Sequence, residues 1–365
     1  MSEVRSSSSA PAVPLAGEPG AAGRRGRAGL GLRVLSFRYI GGVYLLVAII
    51  VVFSLWLPQT FPTVSTVKQV VDNYAIYALA ALALVVPLSA GVFDISVPYT
   101  MSLCGVTAAD LIADHGFSVG LAFVVALAVA LVVGVVNGVV VVAFNIPSLI
   151  GTLATGSLIE AVNSYITGDT PINSVKLLGG FSDIAQTTFG GVTLPVIYAV
   201  AVAVVIYVVQ QRTATGRRLY AVGFNLLAAR LAGVRANRLR FGSLLTSALV
   251  AGFAGIVLAS SLGTGDPTSG NSYLLPSFAA VFLGATQLKE GRFNVWGTII
   301  AVLLLGTGIT GLGLANAPNW STSMFTGVVL IAALAITVRQ RSTAKAGGRW
   351  QSAWQRLRPA REKPP

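Results

Sequence analysis

Charged residues and metal-binding side chains are scarce in this chain of 365 residues. Only 10% of the residues are charged and 54% are hydrophobic, whereas a soluble domain carries about 25% charged residues. The single cysteine, Cys104, and the single histidine, His115, exclude an internal disulfide framework and zinc sites of the usual spacing. The mean hydropathy of +0.77 indicates a membrane protein.

Catalytic motifs are also missing from the sequence. None of the five lysines follows a glycine in the GxxxxGK spacing of a phosphate-binding loop. The strings HExxH, GxSxG and CxxC do not occur. We therefore expect a chain that is not an enzyme, has no catalytic residues, and binds no cofactor or metal itself.

The basic residues are unevenly distributed. The net charge is +13, and three stretches, 1–38, 211–241 and 339–365, carry +4, +7 and +7. Basic tails and a basic loop are typical of the cytoplasmic side of a membrane protein, and not of a nucleic-acid groove. We therefore expect membrane lipid, and no nucleic acid, around this chain.

Ten apolar runs approach the roughly 20 residues that a helix needs to cross a bilayer. The sequence predicts an all-α polytopic membrane protein with about ten transmembrane helices and cytoplasmic N and C termini. Residues 1–38 are predicted to be a disordered basic tail, 39–338 the transmembrane domain, and 339–365 a second basic tail. The predicted spans are 40–57, 73–91, 97–113, 119–143, 147–166, 192–209, 243–262, 274–288, 294–313 and 322–338.

A few polar residues within or beside these spans are candidates for a translocation path. They are Asp94, Ser96, Asn137, Glu160 and Asn163. Glu160 and Asn163 are three residues apart, which predicts that they share a helix face. They could line a polar passage, or Glu160 could make one hydrogen bond between helices. Asn137 could equally bond a neighbouring helix or contact a substrate.

The loop 211–241 contains seven arginines and no acidic residue. Within it, LLAARLAGV predicts a short helix that follows Asn225 as N-cap and ends at Gly233. Such a helix needs a surface to pack against. It could lie on lipid headgroups, or it could dock on a soluble partner.

The sequence TATGRRLYAVGFNLLAARLAGV (213–234) resembles the coupling loop of permease subunits from ABC importers of the ribose, xylose and galactose type. In this interpretation Ala228 and Ala229 would let a partner ATPase seat closely, while Arg217, Arg218 and Arg230 would pair with its carboxylates. The residues assigned to ATPase coupling are Thr213, Gly216, Arg217, Tyr220, Ala221, Gly223, Asn225, Ala228, Ala229, Arg230 and Gly233.

Three further stretches, 89–98, 147–172 and 279–314, are similar to the same family, so that the resemblance covers about residues 40–338. Segment 89–98 could be a cytoplasmic turn or a helix broken within the membrane. The sequence departs from the family pattern at Glu160, where many relatives have arginine, and at Phe224, which replaces a glycine.

The resemblance implies a permease in the bacterial plasma membrane that moves a monosaccharide or polyol by alternating access. The implied partners are an ATPase subunit that holds ATP and Mg, an extracytoplasmic substrate-binding protein, and a second permease copy or a related permease. Two alternatives remain open: an ABC permease for branched-chain amino acids or nucleosides, and a stand-alone ion- or proton-coupled carrier.

Overall fold

The computed structural model describes residues 37–288 and 291–356, with side chains for 41–288 and 291–337. Most of the predicted N-terminal tail 1–38 and the end of the predicted C-terminal tail, 357–365, lie outside the described residues.

The described chain is almost entirely helical. Two antiparallel pairs of two-residue strands interrupt it: β1 (Ile172–Asn173) with β4 (Thr264–Gly265), and β2 (Thr188–Phe189) with β3 (Val192–Thr193). The α-helices are α1 (Phe37–Trp56), α2 (Val64–Ser89), α3 (Val97–Ala113), α4 (Val119–Gly138), α5 (Ser148–Thr167), α6 (Asp183–Gln186), α7 (Leu194–Arg212), α8 (Ala214–Phe224), α9 (Leu226–Leu231), α10 (Ala236–Leu262), α11 (Leu274–Ala285), α12 (Val295–Leu314) and α13 (Asn319–Arg356). A π-helical turn, Val139–Ala143, continues α4, and 3₁₀ turns cover Val175–Leu177 and Ser269–Tyr273.

Several of these helices have the length and composition of membrane spans. Within the described residues, six helices qualify, namely α2, α4 with its π-helical turn, α7, α10, α12 and the first half of α13. Two shorter apolar helices, Gly41–Trp56 and α3, accompany them. The structure therefore confirms the prediction of an all-α membrane protein.

The centre of the bundle is formed by α2, α3 and α10. The most apolar window of α2 is 78% buried, whereas that of α13 is 17% buried and lies at the periphery. Alanines 78, 80, 81 and 83 of α2 are buried, and such small side chains let neighbouring helices approach closely. Glycines serve the same purpose elsewhere, since a methyl group at Gly138 of α4 would collide with the Phe241 ring of α10.

Some helix boundaries differ from the prediction. Helix α2 begins at Val64, nine residues before the predicted start at residue 73. The prediction began too late because the first turns of the helix contain Lys68 and Asp72 and are not continuously apolar. Helix α13 runs from Asn319 through the predicted boundary at residue 338 to Arg356.

The predicted eighth span, 274–288, is helical only over α11, which has 12 residues. At 1.5 Å per residue, α11 covers about 18 Å of a hydrocarbon core about 30 Å thick.

Candidate functional site

The loop between α7 and α10 folds into the helices α8 and α9. Thr213 caps α8 by accepting a hydrogen bond from Gly216 N at 3.2 Å. Asn225 ends α8 and caps α9 by accepting from Ala228 N at 3.0 Å. Gly233 follows α9 with φ at +79°, a left-handed conformation that favours glycine. The helix start and end that the sequence predicts are thus confirmed.

Two glycines seat α8 directly on the membrane domain. A methyl group at Gly216 would collide with the backbone of Gln210 in α7. At Gly223 it would collide with the carbonyl oxygen of Ser89, the last residue of α2, and lie 3.0 Å from Gly91 N. Backbone meets backbone at these points, so no flexible side chain separates α8 from the ends of α7 and α2.

Tyr220 ties α8 to two other parts of the chain. Its hydroxyl donates to the Phe293 carbonyl oxygen at 2.7 Å and lies 3.2 Å from Gln210 Oε1. Gln211 Nε2 donates to the same hydroxyl at 3.1 Å, and the Arg292 guanidinium lies 5.9 Å from the ring centroid. Burial raises the pKa of Tyr220, so the phenol stays protonated and keeps donating.

The outward face of α8 and α9 carries an apolar ridge, which we define as Phe224, Leu227 and Leu231. Their side chains are 66%, 68% and 83% exposed. Ala228 and Arg230 are exposed beside the ridge. The sequence analysis missed Leu227 and Leu231. Leu227 and Leu231 are four residues apart in the same predicted helix, and this spacing is a signal that could have found them, because such residues share a helix face.

Ala229 does not belong to this exposed face. It is 5% exposed and packs with Val222 and Ala236. The prediction that Ala228 and Ala229 both seat a partner is therefore wrong for Ala229, which packs α9 against its own chain.

Several arginines lie on the same loop as the ridge. A cavity of about 500 Å³ is lined in part by Arg218, Arg235 and Arg238. Arg217 is exposed nearby, and Arg230 Nη2 donates to Asn237 Oδ1 at 2.7 Å. Since loop 211–241 has no acidic residue, the loop supplies no carboxylate to neutralise these cations.

Residues 90–96 interrupt the helical path between α2 and α3. Two of their amides bond to side chains at the start of α5: Phe93 N donates to Ser148 Oγ at 3.0 Å, and Ile95 N donates to Thr152 Oγ1 at 2.9 Å. We call this segment the buried break, since most of its residues are inside the bundle. It connects the end of α2, on which α8 rests, to α5.

Three of the candidate path residues form one buried cluster around this break. Asp94 Oδ1 accepts from Ser96 N at 3.1 Å and from Ser96 Oγ at 2.6 Å. Asn137 of α4 donates to Ser96 Oγ at 2.7 Å, and its own oxygen accepts from Thr155 of α5. Among the described residues, Asp94 Oδ2 and Ser247 Oγ have no partner within ordinary hydrogen-bond geometry, although the two side chains lie close to each other. In this structure Asn137 bonds neighbouring helices.

Glu160 and Asn163 are not brought together. Glu160 is exposed, whereas Asn163 is 1% exposed, and neither amide atom of Asn163 has a partner in the part of the chain that the structure describes. A step of three residues turns a helix by about 60° short of a full turn. That rotation is enough to place one side chain on the open face of α5 and the other inside.

Residues 68–334 match the family model described as the permease component of branched-chain amino acid transport systems. The chain therefore belongs to this permease family and is an integral membrane transport subunit. This confirms the resemblance that the loop 213–234 carries.

Curated relatives agree with this assignment. The chain is 32% identical to the ribose import permease protein RbsC of Bacillus subtilis (strain 168), over 80% of this chain and 89% of the relative. It is 32% identical to the probable ABC transporter permease protein YphD of Escherichia coli (strain K12), over 84% and 92%. It is 25% identical to the autoinducer 2 import system permease protein LsrD of Salmonella paratyphi B, over 71% and 79%. No solved structure matches the chain.

Proposed function

We propose that this chain is the permease subunit of an ABC importer in the bacterial plasma membrane, and that it translocates a monosaccharide or a related polyol. The name of the ribose permease supports the substrate class, because that relative aligns over most of both chains. The observation that carries the coupling role is the exposed ridge on α8 and α9. The helix α8 that bears part of this ridge contacts the end of α2 through Gly223.

We assign ten membrane crossings to α1–α5, α7 and α10–α13, with both termini in the cytoplasm. The seven arginines of loop 211–241 support this orientation, because basic residues concentrate on the cytoplasmic side. With ten crossings, several acidic residues fall at the opposite ends of the spans: Asp72, Asp114, Asp169, Asp183 and Asp266.

The ridge provides the docking surface for the ATPase subunit. Burial of Phe224, Leu227 and Leu231 in an apolar cleft would be favourable at about 25 cal/mol per Å² of apolar surface. The arginines of the same loop would pair with carboxylates on the partner. ATP and Mg then stay on the partner, which fits the lack of a phosphate-binding loop in this chain.

Nucleotide-driven movement of the ATPase would reach the membrane through α8. Gly223 contacts the end of α2. The buried break, which follows α2 in the chain, is hydrogen-bonded to Ser148 and Thr152 of α5. Rigid-body rocking of packed helices is the usual way to expose a passage to one side at a time. We infer that α5 moves with α8 during the transport cycle.

The remaining partners follow from the same proposal. An extracytoplasmic substrate-binding protein delivers the sugar to the outer connections, and a second permease, identical or related, completes the passage. Exposed apolar side chains at Val175 and Leu178, which are 83% and 67% exposed, offer a contact surface on the outer side of the assigned topology.

The ridge is tested by purification of the complex from its native membrane with Leu231→Asp, with Leu231→Met as the matched control. The acidic side chain should remove the co-purified ATPase and lower sugar uptake at least tenfold (~1.4 kcal/mol of coupling), since a charge cannot enter an apolar cleft. Leu231→Met should behave as wild type.

Two further variants complete the test. Gly233→Pro should also release the ATPase, because proline cannot adopt φ near +79°. Leu178→Asp, on the outer side, should retain it. Retention of the ATPase and of uptake by Leu231→Asp would refute the docking role, and purification of the wild-type chain alone would refute the importer itself.

A further inference from the structure

The chain between α10 and α11 turns back along α3. Gly265 in β4 lies against Val106 and Ala109. Five residues later, Gly270 N donates to Ser102 Oγ at 2.9 Å, and a methyl group on Gly270 would collide with the Pro98 carbonyl oxygen. We call residues 264–273 the re-entrant segment, because it descends beside α3 from its C-terminal half to its first turn.

Helix α11 starts where the re-entrant segment ends. With about 18 Å of length, α11 completes only the inner part of the crossing. The eighth crossing is therefore discontinuous, and its outer part is irregular backbone inside the bundle. Such backbone is tolerated at membrane depth where it is enclosed by protein or lines a water-filled cavity.

The re-entrant segment presents uncharged polar groups on its open side. Asn271 and Ser272 are exposed, and the Asn271 side chain makes no hydrogen bond to any residue that the structure describes. Ser272 lies within reach of the Tyr77 hydroxyl of α2. The Tyr77 and Tyr273 rings are half-buried, with centroids 4.2 Å apart.

Exposure to lipid does not explain these side chains. An amide without a hydrogen-bond partner costs several kcal/mol in hydrocarbon. The lipid-facing surface of a span looks different in this protein: Val200, Val204 and Val205 on α7 are 54%, 44% and 62% exposed. An open face built from Asn271 and Ser272 at comparable depth therefore borders water.

We propose that Asn271, Ser272 and Tyr77 form a contact site for the hydroxyl groups of the transported molecule, a neutral polyhydroxylated compound. The inference rests on the proposed importer function and adds where in this chain the substrate is contacted.

The chemistry of the site fits such a ligand. The amide of Asn271 can donate and accept at once, and the tyrosine rings offer apolar surface to C–H groups. Ser272 Oγ donates to the Ser269 carbonyl oxygen at 3.2 Å, and its lone pairs and the neighbouring Tyr77 hydroxyl can bond a ligand hydroxyl. The nearest acidic residue along the segment, Asp266, already accepts two hydrogen bonds from Thr268, each 2.8 Å long. The segment contains no basic residue, so an anionic substrate would find no counter-ion on it.

Cysteine labelling tests whether this face borders water. Cys104, the only native cysteine, is buried, and Cys104→Ala supplies the background. In cells that express the whole transporter, Asn271→Cys should react with a charged methanethiosulfonate reagent that does not cross membranes. The matched control Val205→Cys, also exposed at membrane depth, should not react. If Asn271→Cys is as unreactive as Val205→Cys, or only forms cross-links between copies, the proposal is overturned.

Transport kinetics test the contact with substrate. Uptake of ribose, xylose, galactose and xylitol is measured for Asn271→Leu and Ser272→Ala, with Ser261→Ala, at the end of α10, as control. The first two variants should raise KM or lower the rate for the transported sugar about tenfold, while the ATPase still co-purifies and hydrolyses ATP. Wild-type uptake of every sugar by both variants refutes the site. Loss of the ATPase from the wild-type complex refutes the importer instead.

Discussion

Two interruptions of the helical bundle flank α3 and differ in how their polar groups are used. In the buried break, 90–96, Ser96 bonds to Asp94 and to Asn137 of α4 inside the protein. In the re-entrant segment, 264–273, the backbone is held by α3, but Asn271 and Ser272 point to an open face. In the first interruption most polar groups are bonded inside the protein, with Asp94 Oδ2 the exception, whereas in the second the Asn271 side chain is exposed and has no partner among the described residues.

The difference shows how irregular backbone can have two roles in a membrane protein. Satisfied polar groups fix the relative positions of helices, because breaking any one bond leaves a buried partner unpaired. Available polar groups contribute little to that rigidity but can bind a solute. The buried break follows the end of α2 that Gly223 of α8 contacts, so in the proposed mechanism its rigidity would transmit movement. In the same proposal the re-entrant segment borders the path of the solute.

The largest expected effect comes from Gly223→Ala, which disturbs the contact between α8 and the buried break. The added methyl group would collide with the Ser89 carbonyl oxygen, so α8 must shift away from α2. We expect at least a tenfold loss of uptake (~1.4 kcal/mol or more), measured in cells with matched membrane levels of the permease.

The matched control is Gly242→Ala in α10, where a methyl group meets no described atom within 4 Å. That change should preserve uptake and could raise helix stability by up to about 1 kcal/mol. Equal uptake by the two variants would contradict the role of close backbone contact at Gly223.

An intermediate effect is expected from Asp94→Leu, which removes the acceptor of the Ser96 amide and hydroxyl. Leaving these buried donors unpaired costs about 1–3 kcal/mol, and the thermal unfolding midpoint in detergent should fall. Asp94→Asn keeps the acceptor and adds a donor toward Ser247, whose hydroxyl has no partner among the described residues. Asp94→Asn should therefore unfold at or above the wild-type temperature, and a fall equal to that of Asp94→Leu would show that the negative charge is needed.

The smallest expected effect on stability comes from Asn271→Ala in the re-entrant segment. This side chain is exposed and has no partner within the described residues, so the free energy of unfolding should change by less than about 0.5 kcal/mol. The same thermal measurement as for Asp94→Leu checks it. If Asn271→Ala destabilises the protein as much as Asp94→Leu does, the contrast between the two interruptions disappears.

Much of the site on loop 211–241 was predictable because its signals are local. An N-cap at Asn225, a helix end at Gly233 and an arginine-rich loop depend on residues within one or two turns of each other. The apolar runs likewise predicted most helices, although the first nine residues of α2 were not included in the predicted span because they contain polar side chains.

The direction in which individual side chains point was not predictable. Ala229 packs against its own chain, and on α5 Glu160 is exposed whereas Asn163 is buried. Whether a side chain is exposed or buried depends on which helix packs beside it, and the local sequence does not record that. In a soluble helix an apolar stripe marks the inward face. In a membrane span lipid is as apolar as the core, so that stripe is missing.

The sequence by itself determined that this protein is a polytopic membrane protein with a basic, helix-forming loop, since hydropathy, charge bias and helix capping are properties of short stretches of chain. The family was indicated by the resemblance of that loop, which is also a local pattern. Only the tertiary structure decided that the crossing around α11 is discontinuous, that the buried break is bonded to α5, and that Leu227 and Leu231 are the exposed residues of α9. These features depend on contacts between residues far apart in sequence, such as the hydrogen bond from Gly270 N to Ser102 Oγ. A local sequence pattern does not predict such contacts.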